Sequence, residues 1–120
     1  MIDTSSPSTF LAVVHKGTVL KTVYIEDSRL LSRSLLPSIK TLWQDRFDYI
    51  AIGVGPGSYT GTRIGATVAK TLAFGWEIPL IGFSSKMLPN LESIAAFSFE
   101  KYQTQLFDSQ IELVYFSSTP

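Results

Sequence analysis

The chain has 120 residues, 10 Lys+Arg against 10 Asp+Glu, and a formal net charge of zero. It is 45% hydrophobic and 17% charged, too apolar for a disordered chain and of a length that suits one compact domain. A neutral balance removes the simplest basis for direct nucleic-acid binding, a basic face that displaces counterions from phosphates. The absence of cysteine excludes disulfides, thiolate metal sites and cysteine nucleophiles, and a single histidine, His15, excludes a cluster of imidazole ligands.

Ile2 precedes Asp3-Thr4-Ser5-Ser6 and marks the end of a first strand. Phe10 to His15 reads as a strand, Lys16-Gly17-Thr18 as a turn and Val19 to Ile25 as a second strand, which together form a hairpin. The apolar run Phe10 to Val14 is far shorter than the roughly 20 residues of a membrane span. Asp27 or Ser28 is placed to cap a helix over Arg29 to Arg46. In that helix Leu31, Leu35, Leu36, Ile39, Leu42 and Trp43 share an arc of roughly 140°. Pro37 lies on its polar side, where it kinks the helix or begins a second one.

Tyr49 to Val54 is apolar and uncharged, as a strand covered on both faces would be. Gly55-Pro-Gly-Ser-Tyr-Thr-Gly61 leads into a helix ending near Trp76, and Pro79 to Phe83 reads as the next buried strand. The order implies an α/β domain whose mixed sheet joins an antiparallel hairpin to parallel strands flanked by helices. Asn90 is placed to cap a helix through Leu91, Ile94 and Ala95. Gln103 to Gln110 is polar and loop-like, Ile111 to Phe116 is strand-like, and Ser117 to Pro120 reads as a frayed end.

The glycine loop matches neither phosphate-binding pattern. A dinucleotide fingerprint from Gly53 needs glycine at 58, where Ser58 stands, and a P-loop needs Lys-Ser/Thr after Gly61, where Thr62-Arg63 stand. A tight strand-to-helix turn, which needs glycines for its unusual dihedrals, is the favoured reading of this spacing. Backbone N–H groups at the helix start could still hold an anion. Asp3 and Thr4, with Gly55 and Gly57, offer hard oxygens and backbone for a metal–phosphate group, but a plain Asx turn accounts for them more simply. His15 has no acid near it in sequence, and Ser58 sits in no nucleophile elbow.

In the helix after the loop, Gly61, Gly65, Ala69 and Ala73 recur every fourth residue, beside a stripe of Ile64, Val68, Leu72 and Trp76. Apolar or small residues cover roughly 200° of it, more than one sheet would hide. Its second cover is either the helix at Arg29–Arg46 or another chain. Tyr59 and Phe74 are packing residues or, with a partner, interface anchors.

Ile2-Asp-Thr-Ser5, Leu35-Leu-Pro37, Gly53-Val-Gly-Pro-Gly-Ser-Tyr-Thr-Gly-Thr-Arg-Ile-Gly65, Ala69-Lys70 and Ile78-Pro-Leu-Ile-Gly-Phe-Ser-Ser85 occur in one order. Over about residues 1–88 they resemble the TsaB (YeaZ) family of tRNA threonylcarbamoyladenosine biosynthesis proteins. The resemblance implies half of a ribonuclease-H-like (ASKHA, actin-like ATPase) pair of domains. It also implies a non-catalytic, cytoplasmic subunit that docks on the transferase TsaD. TsaE, an ATPase, joins that assembly, and tRNA is engaged indirectly. No cofactor is implied for this chain, ATP and magnesium belonging to partners, and no membrane contact. A homodimer is expected where the partner is absent. A metallopeptidase activity fits poorly without a histidine pair.

Family members start a few residues earlier and carry a His-Ser-Glu-like run where Leu31-Ser32-Arg33 stands. Pro89-Asn90 interrupts the helix that normally follows the Ser-Ser pair. Residues 89–120 are read as a divergent segment, with the second domain absent. The docking residues expected are Tyr59, Thr60, Gly61, Arg63, Gly65, Ala69, Lys70 and Ala73, the small ones giving close approach. Gly65→Leu is expected to block docking while sparing secondary structure. The competing readings are a small nucleotide- or phosphate-binding domain of the same class, and a non-functional truncated copy.

Overall fold

The computed structural model describes residues 1–5, 9–25, 31–42, 47–88 and 90–104. The expected caps at Asp27 and Ser28, the helix ends at Arg29 and Arg46, Trp43, and the strand-like run Ile111 to Phe116 lie outside these residues.

The hairpin forms as its sequence implies. Strand β2 (Thr9–His15) runs antiparallel to β3 (Thr18–Ile25). Lys16 (φ 49°) and Gly17 (φ 81°) form the turn between them, both in the left-handed region that a two-residue hairpin turn requires. Strand β1 (Ile2–Asp3) pairs antiparallel with β2 and parallel with β4 (Ile50–Gly53), and β4 pairs parallel with β5 (Leu80–Phe83). The sheet order is β3-β2-β1-β4-β5, so the shortest strand is central.

Alternation along the strands divides the core in two. Ile2, Leu11, Ile50 and Ile52 face helices α1 (Leu31–Thr41) and α2 (Tyr59–Trp76), where they meet Leu35, Ile39, Ala69 and Ala73. Phe10, Ala12, Ala51 and Phe83 face the opposite side, where Ile94 of α3 (Leu91–Gln103) closes over them. The α3 helix thus covers the second face of the same sheet. Asn90 caps α3 as expected, its side chain accepting from the Ser93 amide at 3.1 Å. The helix continues to Gln103, further than the sequence signal reached.

The first helix is continuous through Pro37, which is exposed. Leu36, expected among the apolar arc, is also exposed: Leu35 and Ile39, one turn apart, centre the buried stripe, and Leu36 stands about 100° away.

The second helix has clear ends. Ser58 caps its start, accepting from the Gly61 amide at 3.1 Å. At the other end exposed Glu77 adopts a left-handed conformation (φ 55°, ψ 44°), a place glycine usually takes. Glu77→Gly is therefore expected to stabilise the fold by about 0.5–1 kcal/mol, relief of Cβ crowding outweighing the extra entropy of glycine. A higher urea midpoint with an unchanged m-value would show it.

Candidate docking surface

At the end of β1, Asp3 and the following Thr4 and Ser5 are buried beside the start of α2. One carboxylate oxygen of Asp3 accepts from the Ser5 amide at 2.8 Å and the Ser5 hydroxyl at 2.5 Å, the Asx turn that the sequence allowed. The other accepts from the Ser85 hydroxyl at 2.7 Å. The Ser85 oxygen in turn accepts from the Gly55 amide at 3.0 Å, and the Ser85 amide donates to the Gly55 carbonyl at 2.9 Å. Gly55 itself lies at φ 96°, which is why glycine stands there.

The four cofactor candidates thus meet, but they close on their own chain. A Cβ at Gly57 would lie 2.2 Å from that of Ser5, and one at Gly53 would lie 2.0 Å from the Asp3 carboxylate. Asp3 is fully buried, and three donors from Ser5 and Ser85 already occupy its carboxylate oxygens. Among the described residues no three His, Cys, Asp or Glu side chains gather as metal ligands.

The small-residue row of α2, Gly61, Gly65, Ala69 and Ala73, turns toward the chain's own strands and first helix. A Cβ at Gly61 would lie 2.4 Å from the Thr4 carbonyl oxygen, and one at Gly65 would lie 2.2 Å from the Thr4 hydroxyl. Ala69 and Ala73 are buried in the core with Leu35 and Ile39. The close approach read from the sequence is real, but the backbone that approaches is the chain's own. The first helix supplies part of the second cover of α2, because Ile64, Val68, Leu72 and Trp76 pack on the cluster that contains Leu35 and Ile39.

What remains outside is a strip of Tyr59, Thr60, Arg63, Thr67, Lys70 and Phe74, all exposed. At 1.5 Å per residue it runs about 22 Å from Tyr59 to Phe74. Tyr59 is 57% exposed and Phe74 is 88% exposed. The Arg63 guanidinium lies 5.1 Å from the centre of the Tyr59 ring and donates to its hydroxyl, a contact one helical turn long. Four of the expected docking residues, Tyr59, Thr60, Arg63 and Lys70, therefore share this face. Phe74, which the sequence leaves as either a packing residue or an interface anchor, stands on the same face. The helical projection alone marks it, since it places a large aromatic ring among Arg63, Thr67 and Lys70 on the polar side.

A separate cavity of about 360 Å³ opens at the start of β1, between β2 and β4, lined by Val13, His15, Tyr49, Trp76 and Tyr102 among others. The Tyr49 and Tyr102 rings stack at 4.8 Å, and the buried Tyr49 hydroxyl has no hydrogen-bond partner. Burial foremost, then the Tyr102 and Asp48 charges, hold the Tyr49 phenol above its ordinary value of 10.0.

Residues 27–94 match the family described as TsaD: tRNA N6-adenosine threonylcarbamoyltransferase, more than half of the chain. The chain belongs to this family. Its relatives include proteins named tRNA threonylcarbamoyladenosine biosynthesis protein TsaB. That of Haemophilus influenzae is 33% identical over 97% of this chain and 51% of its own length. That of Bacillus subtilis is 34% identical over 95% and 51%, and that of Escherichia coli is 34% identical over 72% and 39%. The solved structure of YeaZ from Pseudomonas aeruginosa superposes with a TM-score of 0.63 at 35% identity, covering 69% of this chain and 41% of that one. The mixed sheet with flanking helices is accordingly of the ribonuclease-H-like, actin-like class, as the resemblance implied. The chain spans about half the length of the curated relatives it matches most fully. No helix among the described residues is long and apolar enough to cross a membrane.

Two stability measurements test this local geometry. Gly65→Ala should cost about 1–3 kcal/mol through overpacking against Thr4, with no partner present, and Gly65→Leu should disturb the fold itself rather than docking alone. Tyr49→Phe should leave stability unchanged or raise it by up to about 1 kcal/mol, because it removes an unsatisfied hydroxyl. A phenol held above its unfolded value contributes stability that is intact below pH 10 and is lost above it, as the unfolded chain ionises first. Denaturant titrations at pH 8 and pH 11 should show that loss in the parent chain and less of it in Tyr49→Phe.

Proposed function

We propose that the chain is a non-catalytic subunit in tRNA threonylcarbamoyladenosine biosynthesis, docking on a TsaD-like transferase subunit through the outer face of α2. A TsaE-like ATPase and tRNA are engaged through that assembly, ATP and magnesium belong to the partners, and the complex works in the cytoplasm. The observation that carries this reading is Phe74, an aromatic side chain 88% exposed on a well-capped helix. The relatives' names supply the process, and the family description supplies the transferase.

The face has the chemistry of a protein interface. Aromatic and arginine side chains dominate binding energy where a partner desolvates them, and cations at the rim speed encounter. Tyr59 and Phe74 are the anchors, Arg63 is held in place by Tyr59, and Lys70 and Thr60 lie beside them. The nucleotide-binding alternative draws no support from Asp3, whose carboxylate is buried and accepts from Ser5 and Ser85.

Phe74→Ala tests the reading cleanly because the ring packs on little of its own chain. Calorimetric titration with a TsaD-like subunit should show affinity reduced roughly 30-fold or more, with the thermal midpoint unchanged. Equal affinity for parent and variant would refute docking through this face.

A further inference from the structure

The links between residues 3–5 and α2 all fall at one end of the helix. The Ser5 carbonyl accepts from the Ser58 amide at 3.1 Å, and the Thr4 hydroxyl donates to the Gly61 carbonyl at 2.5 Å. Thr4 also fills the hollow that Gly61 and Gly65 leave. Asp3, through Ser85, holds the Gly55 end of the loop that feeds the helix. The far half of α2 has a different support, the packing of Ala69 and Ala73 on Leu35 and Ile39. Tyr59 and Arg63 therefore ride on the turns that Thr4 holds, and Phe74 rides on the half it does not.

We infer that Thr4 is a positioning residue for partner recognition: seated under the first turns of α2, it sets where Tyr59 and Arg63 stand relative to Phe74. Thr4 is 1% exposed, so it acts without touching the partner. Its role is distinct from the metal–phosphate contact that its place beside Asp3 first suggested. The inference rests on the docking reading above and adds to it a residue that no surface inspection would select.

Thr4→Val keeps the shape and removes the hydroxyl, whereas Thr4→Ser keeps the hydroxyl. The full chain and a TsaD-like subunit should be titrated calorimetrically, and amide hydrogen exchange should be followed along α2. Thr4→Val is expected to weaken binding roughly 3- to 10-fold, the span one hydrogen bond supplies, and to speed exchange in the first turns but not beyond Ala69. Thr4→Ser should restore both. In a Tyr59→Ala background the Thr4→Val change should have less than about a twofold effect, while in a Phe74→Ala background its full effect should persist, because coupled residues depart from additivity. Thr4→Ala serves in place of Thr4→Val if that variant does not fold. Unchanged affinity for Thr4→Val, or equal losses in the parent and Tyr59→Ala backgrounds, would overturn the inference alone. A parent chain that does not bind the subunit would overturn the docking reading and this inference with it.

Discussion

The seat of Thr4 against Gly61 and Gly65 is the contact on which the rest of the structure depends. It joins the central strand to the longest helix at a distance that tolerates no Cβ on the helix side. Polar groups are buried to make this junction, and each Asp3 oxygen has a donor to offset its desolvation. The glycine loop takes part in the same junction through Gly55 and Ser58. The Gly55 amide and carbonyl bond to Ser85, the Ser58 amide bonds to Ser5, and Gly55 takes the positive φ of the turn.

That junction explains the two-sided character of α2. A helix with small residues on one side and large apolar residues beside them can sink deeply between a sheet and a neighbouring helix, because thin side chains let backbones close and raise dispersion contact. The deeper it sinks, the fewer of its residues remain to meet another molecule. Those left outside are not a random polar remainder. They include two aromatic rings with cations between them, and one of those cations is already tied to a ring.

Much of the fold was legible in the sequence, for physical reasons. The hairpin announced itself through Lys16-Gly17, α2 through Ser58 and the four-residue spacing, and α3 through Asn90. Strand β4 could be read as covered on both faces because it has no polar residue. The neighbours of each element were harder to read. A row of glycines and alanines says that something comes near, not what: here Thr4 lies against Gly61 and Gly65, and the cluster of Leu35 and Ile39 against Ala69 and Ala73. The two-residue β1 carries too little periodicity to reveal that it lies at the centre of the sheet. Packing and anchoring were both open for Phe74 because aromatic residues are usually interior; its helical phase puts it outside.

The brevity of β1 has a mechanical consequence. Among the described residues the β2–β3 hairpin and the β4–β5 pair meet within the plane of the sheet through the short β1 and the adjoining Met1, and helices lie across the faces. Few rungs bridge that seam, so it is the natural place for the molecule to come apart into sub-global units. Cooperativity between the two halves is then carried by side-chain packing more than by the backbone ladder, and loosening the helices would let the hairpin peel away as a piece.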